Sequence, residues 1–405
     1  MSRVIVLGGC GVVGSVAVST LTTVKDFSEV VIGDIDIKKA NKMVSQLASE
    51  KLSAVKVDAL DPKSIKSAIK DSDVVLNCTG PFYKFVPTIL KTVIESGINY
   101  VDICDDVDVT REILKMDGSA KKAGITALIG MGSSPGVTNL LAKFGAEQLL
   151  DEVDTIDLYH AHGGEPSEGA GVIWHRIHSM LIDIPVFLDG KIKTVKSFTT
   201  EAMMLEEEVD FHEIGTYRVF PYPHPEIITI PKYIKGVKRV TNKGTVLPDE
   251  YYSLTRNLVR LGIVGEEPIE VKGQNVAPID FTIAYIINQR EKILKETNFG
   301  EQRGCVKIVV AGKKKGKPQQ YIFSMASTGQ AMGEGTGIPA ALGAVLMQRG
   351  KIKEKGVLPP EGCVNPLDFL TIVQKFLRLE KVGGKGSPLI VESIDENGNV
   401  KKMTI

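Results

Sequence analysis

Residues 4–14 read VIVLGGCGVVG: an apolar β-branched run, a glycine cluster, and the start of a helix-like segment that continues to about position 23. The cluster contains G-x-G-x-x-G as Gly9, Gly11 and Gly14, with Cys10, Val12 and Val13 between them. In that context Gly9 permits the tight turn, Gly11 lets the backbone approach a pyrophosphate, and Gly14 allows close packing of helix on strand. The helix N-terminus offers unpaired N–H groups to the anion. Twenty residues beyond Gly14, the next strand closes on Gly33, Asp34 and Ile35. A carboxylate there accepts hydrogen bonds from a ribose diol and repels a 2′-phosphate, so NAD is expected. NADP remains open, because Lys38 or Lys39 could compensate a phosphate, and Asp36 is a second candidate acid.

Working outward, short β-branched runs alternate with helix-like segments: strands at 30–32, 54–57, 74–77, 100–103 and 125–129, helices at 38–49, 86–95 and 109–123. This rhythm predicts an α/β, doubly wound parallel sheet over residues 1–150. Asp58 and Ala59 follow the third strand on the adenine side, although Asp61 and Pro62 begin a helix, and capping explains such acids equally well. Cys78, Thr79, Gly80 and Pro81 follow the fourth strand and should border the nicotinamide. From Asp151 the texture changes to an α+β pattern, expected over 151–328, with a helical segment over 329–405 rich in small residues.

The 405 residues carry 49 basic against 49 acidic side chains, so no global field draws the chain to nucleic acid or to an anionic membrane. With 43% hydrophobic residues, it has ample material for a core. The lysine run in GKKKGKPQQ (312–320) reads as a solvated hairpin tip between strands at 306–310 and 321–325. The start MSRVIVLGGC lacks a basic leader and cleavage site, no run is long enough to span a membrane, and the five cysteines are widely separated. A cytoplasmic protein with no nucleic-acid or membrane partner is expected.

Asp102 and Asp105 follow the fifth strand at the expected cofactor edge. Either could bind an ammonium or take its proton, and either could instead cap the next helix. Tyr100 shares that strand. Ser133, Ser134 and Asn139 lie at a helix start, where a substrate carboxylate would be favoured. All six histidines fall between 160 and 224: His160, His162, His175, His178, His212 and His224. Their spacing matches no standard metal signature, so no metal is expected. His175 is a candidate for chemistry and His162 for substrate contact, with ordinary packing as the alternative. Trp174, beside the Gly-rich 163–171 loop, could line the pocket or belong to the core.

GGCGVVG, NCTGPF (77–82), NYVDICDD (99–106) and GMGSSPGVTN (130–139) resemble the saccharopine dehydrogenase family. YPHPE (222–226) and TGIPAALGAVLMQRG (336–350) are similar to its lysine-dehydrogenase-like members. The resemblance implies a Rossmann domain, an inserted substrate domain, a C-terminal segment returning to the Rossmann domain, and a homodimer. It also implies hydride exchange between a nicotinamide and a carbon bonded to nitrogen in an amino-acid substrate, saccharopine dehydrogenase-like or lysine 6-dehydrogenase-like. The acid that precedes Pro-Gly in the saccharopine-forming enzymes is Ser134 here. Rival expectations are enoyl-reductase-type reduction of a carbon–carbon double bond, or a nucleotide-binding sensor or assembly subunit without turnover.

Overall fold

The computed structural model describes residues 2–165, 168–327 and 331–405. The first part of the chain winds as β1 (Arg3–Leu7), α1 (Val12–Thr23), β2 (Glu29–Asp34), α2 (Ile37–Leu47), β3 (Leu52–Lys56), α3 (Pro62–Ile69), β4 (Val74–Asn77), α4 (Phe82–Ser96), β5 (Asn99–Asp102), α5 (Val107–Ile113), α6 (Asp117–Lys122), β6 (Thr126–Leu128) and α7 (Val137–Phe144). Strands β1, β2 and β4 are rich in β-branched residues and almost wholly buried, as a sheet covered on both faces requires, while the edge strand β3 is mostly half-buried. The expected helix at 109–123 is interrupted by a 3₁₀ turn, Leu114–Met116.

A second layer follows: β7 (Glu152–Gly163), α8 (Ala170–Leu181), β8 (Ile184–Leu188), β9 (Lys191–Val195), α9 (Thr200–Met203), β10 (Glu207–Phe211), β11 (Gly215–Pro221), α10 (Glu226–Tyr233), β12 (Arg239–Leu247), α11 (Asp249–Arg260), the small hairpin β13 (Ile269–Val271) and β14 (Gln274–Val276), α12 (Pro278–Glu296), β15 (Arg303–Lys314) and β16 (Lys317–Ser327). The chain ends with α13 (Ala331–Gln348), β17 (Gly356–Leu358), α14 (Pro360–Cys363), α15 (Pro366–Phe376), β18 (Leu389–Ile394) and β19 (Val400–Met403).

The first sheet is parallel with order β17-β6-β5-β4-β1-β2-β3, so its direction of winding reverses between β1 and β4. Ligands bind at the carboxyl ends of the strands at such a switch point. The second sheet has ten strands, ordered β10-β11-β12-β7-β15-β16-β18-β19 with β8 and β9 attached at β12. Within it β12 runs parallel to β7, while β15 and β16 pair antiparallel through the lysine-rich tip.

The C-terminal stretch departs from the helical expectation. It returns to the first domain, where α13 packs on α1, and β17 adds a strand beside β6. Its last strands then extend the second sheet next to β16. Glycine makes the helix contact possible: a Cβ at Gly337 would lie 2.7 Å from the Val13 carbonyl oxygen and 2.9 Å from Val16 Cβ. The expected junction at 328–329, and Pro166 and Ser167 of the Gly-rich loop, fall outside the described residues.

Candidate functional site

The loop after β1 has the shape a dinucleotide requires. The left-handed residue is Gly8 (φ 69), one position before the expected turn glycine. A Cβ on Gly14 would fall on the Gly8 carbonyl oxygen, so helix and loop can meet only through glycine here. At Gly11, by contrast, a Cβ would meet only that oxygen, at 3.3 Å, which leaves this side of the loop open to an approaching group. Gly11 also precedes α1 without a side-chain cap, leaving first-turn N–H groups for an anion. Val12 and Ile35 are exposed beside it.

Asp34 is half-buried at the end of β2. Its Oδ2 accepts from the Cys10 N–H at 3.0 Å and its Oδ1 from the Asp36 N–H at 3.0 Å. The carboxylate therefore braces the glycine loop from the position where a ribose would lie. Asp36, the second candidate, instead caps α2 by accepting from the Lys39 N–H. Asp58 is exposed and accepts from the Leu60 N–H, and Asp61 caps the helix that follows Ala59 and Leu60. These residues fit a bound dinucleotide. Asp34→Ala is expected to cost NAD about 1 to 3 kcal/mol of binding while leaving NADP affinity unchanged or improved; fluorescence titration with both reduced cofactors measures it.

Across the switch point the Cys78 N–H donates to the Leu7 carbonyl at 2.8 Å, tying the loop after β4 to the glycine loop. Asn77 Oδ1 accepts from the Thr79 N–H at 3.0 Å. Burial, with the Asp102 charge adding to it, pushes the Cys78 thiol up to about 12, so it stays protonated. Gly80 is exposed and Pro81 half-buried at the mouth of this loop, and Pro81 leads into α4.

Asp102 lies inside the fold. It is fully buried, and its Oδ1 accepts from the Gly130 N–H at 2.7 Å and the Cys104 N–H at 3.1 Å, bracing neighbouring loops. Burial raises its carboxyl to about 6 in spite of those donors. Tyr100 is likewise enclosed, its hydroxyl accepting from Asn77 Nδ2. Both residues support the site from within the sheet rather than lining it.

Three residues further on, the acids meet the second domain. His175, on α8, sits with Nε2 3.5 Å from Asp105 Oδ2 and Nδ1 2.9 Å from Asp106 Oδ1. Asp106 Oδ2 also accepts from the Tyr83 N–H at the start of α4. Burial opposes a charged imidazole, but the two carboxylates outweigh it and hold His175 up to about 9. Burial and Asp106 push Asp105 upward against the pull of His175, and Asp105 Oδ1 is buried with no hydrogen-bond partner. The ring of Phe82, the first residue of α4, packs edge-on to His175 at 6.5 Å. One turn along α8, His178 Nε2 lies 3.1 Å from Asp108 Oδ2 while its ring stacks on Tyr83 at 4.7 Å. Helix α8 is thus docked, through two imidazoles and three carboxylates, at the carboxyl edge of the parallel sheet.

The other expected contacts separate. His162 Nδ1 lies 2.9 Å from Glu165 Oε1 in a buried charge cluster that anchors the Gly-rich loop, where Arg176 pairs with Glu168 and Arg290 donates to the Glu165 carbonyl. Trp174 is half-buried and packs with Ile173 and Ile177 in the second domain's core. Asn139 is fully buried; it accepts from the Gly136 N–H and donates to Glu361 Oε2 at 2.8 Å, so it caps α7 rather than facing substrate. Ser133 is half-buried near Gly335 of α13. Ser134 Oγ donates to Glu226 Oε1 at 2.6 Å.

Sequence reasoning missed Asp106 and the partner of His178, although an acid run facing a His-x-x-His pair carried the charge signal. Among the described residues, acid and imidazole groups close enough to share a cation are Asp105, Asp106 and His175, and Asp106, Asp108 and His178. His160 and His162 belong to neither. No helix among the described residues is long and apolar enough to cross a membrane.

Comparison with known proteins agrees with this architecture. Residues 4–128 match the saccharopine dehydrogenase NADP binding domain, and residues 132–383 match the saccharopine dehydrogenase C-terminal domain. The carboxyaminopropylagmatine dehydrogenase of Synechocystis sp. is 23% identical over 390 residues, covering 91% of this chain and 94% of the relative. The carboxynorspermidine synthase of Vibrio cholerae is 25% identical over 397 residues, covering 89% and 92%. In fold, the chain is similar to apo saccharopine dehydrogenase (L-Glu forming) from Saccharomyces cerevisiae, with TM-score 0.66 at 17% identity over 100% of both chains. The chain belongs to the saccharopine dehydrogenase family and is an NAD(P)-dependent oxidoreductase.

Proposed function

We propose that the chain transfers a hydride at a C–N bond of a carboxylate-bearing amine, with Asp105 and His175 holding and moving the proton of the reacting nitrogen. The observation that carries this reading is His175 clamped between Asp105 and Asp106, beside Phe82 at the start of α4. A bound nicotinamide supplies the hydride acceptor or donor. Gly9 to Gly14 would hold its pyrophosphate, Asp34 its adenosine ribose, and Cys78 to Pro81 its nicotinamide end. Asp105, 27% exposed at its side chain beside His175, is the acceptor offered to a substrate ammonium. Once that ammonium is neutral its lone pair assists departure of the hydride, so the group that takes the proton controls the rate.

The relatives are named for carboxylated polyamine-type compounds, which supports a substrate carrying both amine and carboxylate. Lysine and saccharopine remain in the same class. A homodimer in the cytoplasm belongs to this reading, supported by family resemblance and by the exposed apolar side chains Leu261, Ile269, Phe281 and Ile287. The test is absorbance of reduced nicotinamide with a panel of lysine, saccharopine, carboxynorspermidine and carboxyaminopropylagmatine, alongside amines without a carboxylate. Turnover is expected only with members that bear the carboxylate. Equal turnover of amines lacking it, or turnover of enoyl substrates alone, contradicts the assignment.

A further inference from the structure

A second imidazole–carboxylate pair lies near the first. His224 sits in the YPHPE loop between β11 and α10, buried, with Nδ1 2.6 Å from Glu226 Oε2. Glu226 is fully buried, and its other oxygen accepts from Ser134 Oγ at 2.6 Å and Thr138 Oγ1 at 3.0 Å. Those two hydroxyls come from the first domain, at the start of α7. The carboxylate is therefore satisfied from both domains and presents one fixed acceptor to Nδ1, which leaves Nε2 as the nitrogen His224 can offer to a ligand. His224 packs 5.8 Å from the His160 ring and 5.7 Å from Tyr222.

We propose that His224 is a second proton-transfer residue of this active site and that Glu226, locked by Ser134 and Thr138, is its positioning residue. The proposal rests on the C–N reading above. Oxidation leaves a C=N bond, and releasing the nitrogen requires water to add to that carbon. As the new C–O bond forms, the water proton must leave; as the C–N bond breaks, a proton must be delivered to the departing nitrogen. Nε2 of His224 would take the first and return it to the nitrogen; as the C–N bond breaks and the C=O bond forms, it would take the remaining hydroxyl proton and pass it to the released amine, which leaves as an ammonium, so the protons balance without another reactant. The Asp105–His175 pair is left with the proton lost before hydride transfer. Two pairs permit this division of work because each imidazole has its own carboxylate.

Charged and titratable groups surround His224 on several elements: Glu226 of α10, Asp105 of the β5–α5 loop, His175 of α8, His160 of β7 and Tyr222 of its own loop. Burial disfavours charge on His224, but Glu226 and Asp105 outweigh it and raise its affinity for a proton. Burial disfavours charge on Glu226 as well, and His224 and Ser134 outweigh it in turn. His160 differs: burial and the neighbouring imidazoles push it down to about 3, so it stays neutral.

The experiment compares full-length wild type, His224→Gln and Glu226→Gln by steady-state kinetics against pH on the amine panel, with cofactor affinity measured in parallel. His224→Gln is expected to lower kcat at least about tenfold with NAD(P) affinity unchanged. Glu226→Gln removes the negative charge that favours the imidazolium, so the limb of the kcat profile governed by His224 should move to lower pH by about one unit. A His224→Gln kcat within about twofold of wild type, or an unshifted profile in folded Glu226→Gln, overturns the proposal while the C–N reading stands. Wild type inert to the whole panel overturns that reading, and this proposal with it. Should Glu226→Gln not fold, His224→Gln alone decides.

Discussion

Asp105→Asn is expected to lower kcat for amine oxidation by about a hundredfold or more while leaving NAD(P) affinity nearly unchanged. The substitution keeps the side chain's shape but removes the charge opposite His175 Nε2 and turns an unpartnered buried acceptor into an amide. An amide cannot take the proton of a substrate ammonium, and it holds that ammonium less firmly because the attraction of opposite charges is gone. Asp102→Asn is the informative contrast. Its carboxyl is enclosed, with Oδ1 taking the Gly130 and Cys104 N–H groups and Oδ2 buried without a partner, so its variant should change stability more than rate per folded molecule. The two substitutions carry the same chemistry three residues apart; a large rate loss at Asp102 with a normal rate at Asp105 would reverse the assignment.

Gly14→Ala should abolish useful cofactor binding, weakening NAD(P) by at least about a hundredfold, near 3 kcal/mol. The added methyl would land on the Gly8 carbonyl oxygen, with Gly9 Cα 2.9 Å away. Both obstacles are backbone, so no side chain can rotate aside; the loop must shift, and with it the N–H groups that face the pyrophosphate. At Gly11 the added methyl has one neighbour, the same oxygen at 3.3 Å, so Gly11→Ala should spare the fold and act mainly where the ligand approaches. Titration of both variants by reduced-cofactor fluorescence, with thermal unfolding in parallel, separates the two. Gly14→Ala binding within about threefold of wild type would mean that the loop does not carry the cofactor.

The nucleotide half of the molecule was legible because its determinants are local. A strand, a glycine loop, a helix and an acid at fixed spacing are required by backbone sterics and by anion binding at a helix start, and all four lie in the first 34 residues. The second sheet was legible at its hairpin, where Gly and Lys mark the turn, and at the strands read at 155–160 and 192–198, which fall on β7 and β9. Strand β12, RVTNKGTVL, reads as polar and irregular, yet Thr241 and Asn242 are buried because the strand lies between β7 and β11. That environment comes from distant partners, which no local period reveals. The three-residue β17 is likewise a strand only because β6 receives it.

The same division runs through the site. Asp105 and His175 were both singled out, but nothing local says that they meet; α8 brings them together from another domain. Asp102 was read as exposed to substrate because it ends a strand at the ligand edge. In the fold it is fully buried, and the loops after β5 and β6 each supply one N–H donor, from Cys104 and Gly130, to its oxygen. Asn139 and Ser134 lie at a helix start as expected, but Glu361 and Glu226 arrive there from later in the chain and take the donors that a substrate carboxylate would have used. Glu226 lies two residues beyond His224, and that spacing was the one local sign of the second pair.

Hydride transfer to or from a carbon bonded to nitrogen is tested most directly by following the label. The enzyme is run in the reductive direction with nicotinamide deuterated at C4, an amine and a carbonyl partner, and the product is examined by mass spectrometry and NMR. We expect one deuterium on the carbon that carries the new C–N bond, and none elsewhere. Deuterium on a former carbon–carbon double bond, with no new C–N bond formed, would contradict the assignment.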